Sequence, residues 1–334
     1  VKLTNRLGLP LPIVKAVEND GYNAGRSDIS VTSLIDPPRI QALKKRHWEE
    51  LEEDVSDRLY SLQGQSVHTI LERAAEGLDD SYLVERRFYI DLALEDGSTF
   101  VLSGQVDIFD IQKGILADYK LTSVYSVKGG PKEEYVKQVN IGRLLLEEGY
   151  ELVNPDGSTY RHGVDDEAQV SRVDSAGRFK VHKLQIVALL RDWSKGEYSR
   201  ECQKAEREGW NTVSYPAQQT KVMDVPIIAR QDVINYVLDR AQAHKVASTT
   251  PEPALPVCTS EERWERPGKY AIMKPGASRA SKLFDTKEEA EAARASYDPK
   301  ARVEARPGES IRCAQYCPVA SKCSVAKQKG WTRS

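Results

Sequence analysis

One histidine, two aspartates, one lysine and one glutamine lie in four short signatures that follow one another along this chain: Gly64-Gln65-Ser66-Val67-His68, Gly104-Gln105-Val106-Asp107, Asp118-Tyr119-Lys120, and Gln138. Each is weak alone, and the ordered set carries the reading. Mg²⁺ takes oxygen ligands in an octahedron, commonly one or two carboxylates with the remaining positions left to water and phosphate. Asp107 and Asp118 are the carboxylates expected to serve. Lys120 stands two residues after Asp118, so on a strand both share a face. There the ammonium can orient or help deprotonate an attacking water and neutralise charge developing on a phosphorane-like transition state. Tyr119 must point the opposite way, leaving its backbone carbonyl as a further ligand. A neutral imidazole at His68 would extend the ligand set and suit Mn²⁺ as well as Mg²⁺. Gln138 could hydrogen-bond a nucleic-acid backbone or the lysine. Glu85 could be a further acid near the metal, but it adjoins Arg86 and Arg87 and reads rather as an exposed ion pair. The chemistry implied is metal-assisted hydrolysis of a phosphodiester.

These residues need a sheet and two helices to converge. Leu51, Val55, Leu59 and Leu62 recur at helical spacing and Val67, Ile70 and Leu71 continue it, with Gly64 as an interruption and Gly77 as a C-cap. From Tyr82 to Leu94 the period changes to two and ends at Asp96-Gly97, a hairpin signal. Strands about 99–110 and 115–121 follow, with Lys113-Gly114 between them. An amphipathic helix is expected from Pro131 to Gly149, a polar loop at Asn154-Pro155-Asp156-Gly157, and a buried strand over the apolar run Leu184–Leu190. Helix, three-stranded antiparallel meander, helix, strand predicts an α/β fold with a central mixed sheet flanked by helices. Further on, the pattern predicts a helix near 197–208, a strand near 222–228 and a helix from Gln231 to about Ala243.

The flanking segments divide as follows. Residues 1–40 hold Pro10, Pro12, Pro37 and Pro38 and read as an irregular arm, with a short helix start or capping turn at Ser30–Ile35. The core is expected over 41–245 and a stiff Pro-rich linker over 246–257. The C-terminal region, 258–334, encloses a small strand-strand-helix unit at about 268–297, its helix opened by Thr286 with Glu289 three residues on.

Composition narrows the class. The 334 residues are 40% hydrophobic and 29% charged, values of a globular chain. No apolar run has the length of a membrane span, and the N-terminus lacks a basic-then-apolar leader pattern, so a cytoplasmic location is expected. Net charge is −2, so any polyanion must be held by local groups rather than by an overall cationic field. The five cysteines stand at 202, 258, 313, 317 and 323. An odd number, with three crowded near the C-terminus, argues for thiolate ligation of a metal rather than a disulfide framework. Cys313, Cys317 and Cys323 form C-x3-C-x5-C. With Cys258, or else Cys202, they could hold a [4Fe-4S] cluster or a tetrahedral Zn²⁺.

The order Gly-x-x-x-His, Gly-x-x-Asp, Asp-x-Lys, Gln resembles the RecB and Cas4 branch of the PD-(D/E)XK nucleases, as found in phage exonuclease-like proteins, over about residues 30–195. The resemblance implies a restriction-endonuclease-like core and metal ligation by His68, Asp107 and Asp118. It also implies catalysis by Lys120 and support from Gln138. The family helix usually reads Gln-x-x-x-Tyr, and Gly142 stands at the tyrosine position here. The cysteine trio with one distant partner resembles the iron-sulfur staple of Cas4 and AddB nucleases, in which the lone cysteine typically precedes the core. Cys258 follows it in this chain. The implied activity is a Mg²⁺ or Mn²⁺ dependent deoxyribonuclease acting on DNA ends or single strands in bacterial or phage recombination, repair or processing. A helicase or recombinase is an expected partner, in a bacterial cell or a phage-infected host. Two other readings are a catalytically silent metal-cluster scaffold that binds DNA, and an endonuclease.

Overall fold

The computed structural model describes residues 1–19, 25–75, 77–156, 158–160, 165 and 169–331. Gly157 of the expected polar loop lies outside them. Along the chain the elements are β1 (Lys2–Thr4), α1 (Leu11–Glu18), β2 (Ile29–Ser30), α2 (Val31–Ile35), α3 (Pro38–Arg46), β3 (Glu52–Asp54), α4 (Leu59–Ala75), β4 (Tyr82–Ala93), β5 (Thr99–Asp110) and β6 (Ile115–Thr122). There follow α5 (Glu133–Glu148), β7 (Tyr150–Val153), β8 (Ser171–Asp174), β9 (Lys183–Leu190), α6 (Lys195–Glu208), β10 (Thr220–Val225) and α7 (Arg230–Thr249). The remainder holds β11 (Glu265–Arg266), β12 (Lys269–Met273), β13 (Lys282–Phe284), α8 (Lys287–Tyr297), β14 (Arg302–Arg306), β15 (Glu309–Ser310) and α9 (Ser324–Gln328).

Two compact units result. The first comprises Val1–Ile35 with Glu52–Val246, and the second Asp36–Leu51 with Ala247–Ser334. The first is mixed α/β. Its eight-stranded sheet runs β10-β9-β6-β5-β4-β7-β8, with β2 added alongside β5. β6 and β9 are parallel, as are β2 and β5, and the remaining pairs are antiparallel. The expected meander is present, turning at Asp96-Gly97 with Gly97 at φ +78°, a conformation glycine adopts without steric cost. Ala93 then faces Thr99, and that register runs back through Phe88 opposite Gly104.

The core of this unit gathers Phe88, Leu102, Phe109, Leu116, Leu184 and Ile186 from the sheet with Ile141, Leu144 and Leu145 of α5 and Val237 of α7. Helix and sheet approach closely at Gly104. A Cβ there would stand 2.7 Å from Leu145 Cδ1 and 2.8 Å from Val31 Cγ2. The glycine of the second signature is thus a packing requirement that seats α2 and α5 on β5. Gly64 has no such duty: nothing lies within 4 Å of its position for a Cβ, and α4 runs through it unbroken, so the expected interruption is corrected. The upstream residues Leu51 and Val55 precede α4, in an extended stretch and a 3-10 turn (Val55–Arg58).

Other differences have simple causes. β7 and β8 are short, and all four residues of β8 are exposed, so no apolar alternation announces them. The N-terminal segment carries β1, α1 and β2 where an irregular arm was expected, and α2 forms at the expected short helix start. α2 follows Ser30, whose hydroxyl accepts from Ser33 N–H at 3.3 Å. α7 continues to Thr249, through the first residues of the expected linker.

In the second unit, β13-β12-β14 form a three-stranded antiparallel sheet. The two strands and the capped helix were anticipated, and both hydrogen bonds of the Thr286–Glu289 capping box are present. β14, Arg-Val-Glu-Ala-Arg, adds a strand that its charges conceal. No described helix is long and apolar enough to cross a membrane.

Candidate metal centre

The site forms where the meander opens. β5 and β6 pair only through Ile108↔Ala117, Phe109↔Leu116 and Asp110↔Ile115. Past that point the Asp107 carboxylate replaces the ladder, accepting the Tyr119 N–H at 2.7 Å. On the other side, Val84↔Ile108 and Arg86↔Val106 are paired, which sets Glu85 opposite Asp107. Glu85 has φ +49°, a left-handed conformation that disfavours a side chain and collects at functional positions. The alternation along β5 also slips here. Leu102, Gly104 and Val106 are buried at period two, and the next buried residue is Phe109. Strain and slip together turn Glu85 and Asp107 toward one place.

His68 enters from α4. Its Nδ1 bonds Glu85 Oε1 at 2.9 Å and stands 3.9 Å from Asp107 Oδ1. His68, Glu85 and Asp107 bring their ligand atoms within 4.8 Å of one another, a spacing that fits a metal ion. Glu85, expected to be an exposed ion pair, is instead buried in the site with its side chain only 8% exposed. Gln105 holds its second oxygen, donating to Oε2 at 2.5 Å. Sequence reasoning set Glu85 aside as an exposed ion pair and missed the role of Gln105, although the hairpin register from Asp96-Gly97 places Glu85 opposite Asp107 by counting.

Asp118 and Lys120 lie next to this triad. Lys120 Nζ is 2.7 Å from Asp118 Oδ2, but that oxygen is buried with no well-formed hydrogen bond, so the contact is electrostatic and lone-pair capacity remains for a cation. A cavity of about 360 Å³ is lined by His68, Glu85, Asp107, Asp118, Lys120 and Gln138. Five of the expected residues therefore share one cavity, and Gly142 lines it too. Tyr119 is not among its lining residues, and its ring is edge-on to His68 at 6.3 Å between centroids.

The electrostatics fit a cation. Burial, together with the charge of Asp118, pushes the Asp107 carboxyl up to about 7. The Glu85 carboxylate, by accepting a hydrogen bond from the ring, raises His68 above the usual imidazole value. Burial works to lower Lys120, but Asp118 and Asp107 outweigh it and hold the ammonium charged. Three carboxylates, an imidazole and one ammonium in a confined space are an acidic set that a divalent ion would relieve.

The second unit holds a separate cysteine site. Cys258, Cys313, Cys317 and Cys323 line one enclosed cavity with Arg39, Arg263 and Arg312. Cys202 lies on α6 instead, paired with Tyr198, so Cys258 is the fourth member. Arg39 is 2% exposed. Its Nε donates to Cys323 Sγ at 3.2 Å, and its terminal nitrogens bond Leu255 O at 2.7 Å, the Glu252 carboxylate and Ser324. Burial pushes the Cys258 thiol up to about 12 and the Cys317 thiol up to about 11.

No protein-family model and no curated protein matches the chain. A solved structure described as "Crystal structure of SSO0001" aligns with a TM-score of 0.41 and 15% identity, covering 72% of this chain and 86% of that one. A likeness of that grade assigns neither a fold family nor an activity.

Proposed function

We propose that the chain is a Mg²⁺ or Mn²⁺ dependent deoxyribonuclease of the RecB/Cas4-like PD-(D/E)XK type, working as an exonuclease on DNA ends or single strands. The observation that carries this is the convergence of His68, Glu85 and Asp107 beside the Asp118–Lys120 pair in one cavity. His68, Asp107 and Asp118 would hold the cation, with Glu85 added to the expected set and the Tyr119 carbonyl as a further ligand. When bound, the ion supplies Lewis acidity toward a phosphate oxygen and toward a water.

The protein's own groups do the rest. The Tyr119 N–H fixes one Asp107 oxygen, leaving the other on the side of His68. Gln105 and His68 fix Glu85. Lys120, held protonated by its two aspartates, contributes positive charge and hydrogen bonds to the phosphate as negative charge builds on it. That assigns the expected charge-neutralising role to Lys120 rather than proton abstraction. Gln138 lines the same cavity from α5, within the space a phosphate would take. In the second unit, the four thiols around one cavity would hold a [4Fe-4S] cluster, with Zn²⁺ as the alternative. The three lining guanidiniums suit the net negative charge of a cluster held by thiolates.

The test is incubation of anaerobically purified protein with end-labelled single-stranded, end-labelled duplex and closed circular DNA, with and without Mg²⁺ or Mn²⁺. Metal-dependent degradation of linear DNA, lost in Asp107→Ala and sparing the circle, supports the exonuclease. Cleavage of the circle makes it an endonuclease. Binding without cleavage under both metals refutes the enzyme.

A further inference from the structure

The end of the sheet beyond Lys120 carries aromatic rings that the core does not use. β6 and β9 pair in parallel as far as Thr122↔Leu190, and Arg191 extends the ladder by donating its N–H to Thr122 O at 3.0 Å. The Arg191 guanidinium lies 4.2 Å from the centroid of the Tyr60 ring, and among the described residues it pairs with no carboxylate. Tyr60 is 65% exposed. Tyr125, in the 3-10 turn Val124–Val127 that follows β6, is 82% exposed. The Asp192 carboxylate accepts the Val124 N–H at 2.7 Å, which ties that turn to the segment carrying Arg191.

The distance from this end of the sheet to the metal centre can be measured along two elements. From His68 back to Tyr60, α4 covers about 12 Å at its rise per residue. From Asp118 on to Thr122, β6 covers about 13 Å. The helix and the strand make the same step in the same direction, so the Tyr60–Arg191 stack stands a few nucleotides from the carboxylates.

We propose that Tyr60, Arg191 and Tyr125 form a stacking platform for unpaired bases, which leads a single strand of DNA toward Asp118 and Lys120. The proposal rests on the nuclease reading and deepens it by naming the substrate as single-stranded. Each base has a π-face that an exposed tyrosine can stack on, and duplex DNA hides those faces within its own stack. The guanidinium on Tyr60 adds a charge for the adjoining phosphate.

Binding is measured by fluorescence anisotropy with Ca²⁺ replacing Mg²⁺. The probes are a short labelled oligodeoxythymidylate, the same backbone with abasic sites, and a blunt duplex. Tyr60→Ala and Tyr125→Ala should each weaken oligothymidylate binding about tenfold or more, while abasic and duplex affinities and the melting temperature stay unchanged. Tyr60→Phe, which keeps the ring, should restore binding. Arg191→Ala should lower affinity for both single strands and flatten its salt dependence. Equal oligothymidylate affinity in wild type and both alanine variants overturns the platform, as does an equal loss toward the abasic strand. A separate Mg²⁺ cleavage assay keeps the two claims apart. Cleavage by wild type with normal binding by the variants removes the platform alone. Base-dependent binding without cleavage keeps the platform and removes the hydrolase.

Discussion

Replacing Asp107 with asparagine should stabilise the metal-free protein while destroying its metal site. Asp107 is 11% exposed in its side chain, lies beside Glu85 and Asp118, and has its carboxyl raised from 3.8 to about 7. A carboxyl raised on folding contributes stability that is fully present below its unfolded value, and that stability is lost as pH rises through the folded value. For Asp107 the loss falls between about pH 4 and pH 7, and at pH 8 it amounts to about 4 kcal/mol. Asparagine has no charge to bury, and its Oδ1 can still accept the Tyr119 N–H. With EDTA present, the variant should therefore melt higher than wild type at pH 8, by on the order of 5 to 10 °C. The gap should shrink at pH 5. Mn²⁺ should close most of this gap, raising wild type by about 3 kcal/mol at a hundredfold excess over Kd and leaving the variant unmoved. Calorimetry at both pH values, with EDTA or Mn²⁺, makes the comparison. A variant less stable than wild type in EDTA at pH 8, or a gap independent of pH, would refute the electrostatic argument.

Gly64→Ala should add about 0.5–1 kcal/mol of stability without changing cleavage, since the position is in the interior of α4 with open space around it; denaturant melts check it. Gly104→Ala should do the opposite, lowering stability by about 1–3 kcal/mol through overpacking against Leu145 and Val31, seen in the same melts. Cys258→Ser and Cys317→Ser should each abolish the visible absorption and iron content expected of anaerobically purified protein, and Cys202→Ser should leave both intact. Stoichiometric zinc without iron in the wild type would decide for the other metal.

The sheet core was legible because its signals are local. Asp96-Gly97 fixes a turn type, the turn fixes the register, and the run at Leu184–Leu190 can only be buried. The same register would have exposed Glu85 as a site residue. Its neighbours Arg86 and Arg87 suggested solvent instead, because a sequence does not show that Glu151 waits to pair with Arg86 or that Ser103 and Gln105 accept from Arg87. β8 and β14 were hidden for a related reason: Ser-Arg-Val-Asp and Arg-Val-Glu-Ala-Arg carry no apolar alternation, and their strand conformation is imposed by neighbours. The motif spacing grouped Asp107, Asp118, Lys120, His68 and Gln138, and the five line one cavity. It left open whether Cys258 or Cys202 completes the cysteine set, because that depends on how distant segments pack.

The most direct test of the metal centre is a Mn²⁺ titration followed in one sample by electron paramagnetic resonance and by release of label from single-stranded DNA. The account predicts that cleavage rises in proportion to ion bound, and that Asp107→Asn and His68→Ala lose both signals together. Full occupancy without cleavage, or binding unchanged in Asp107→Asn, would contradict it.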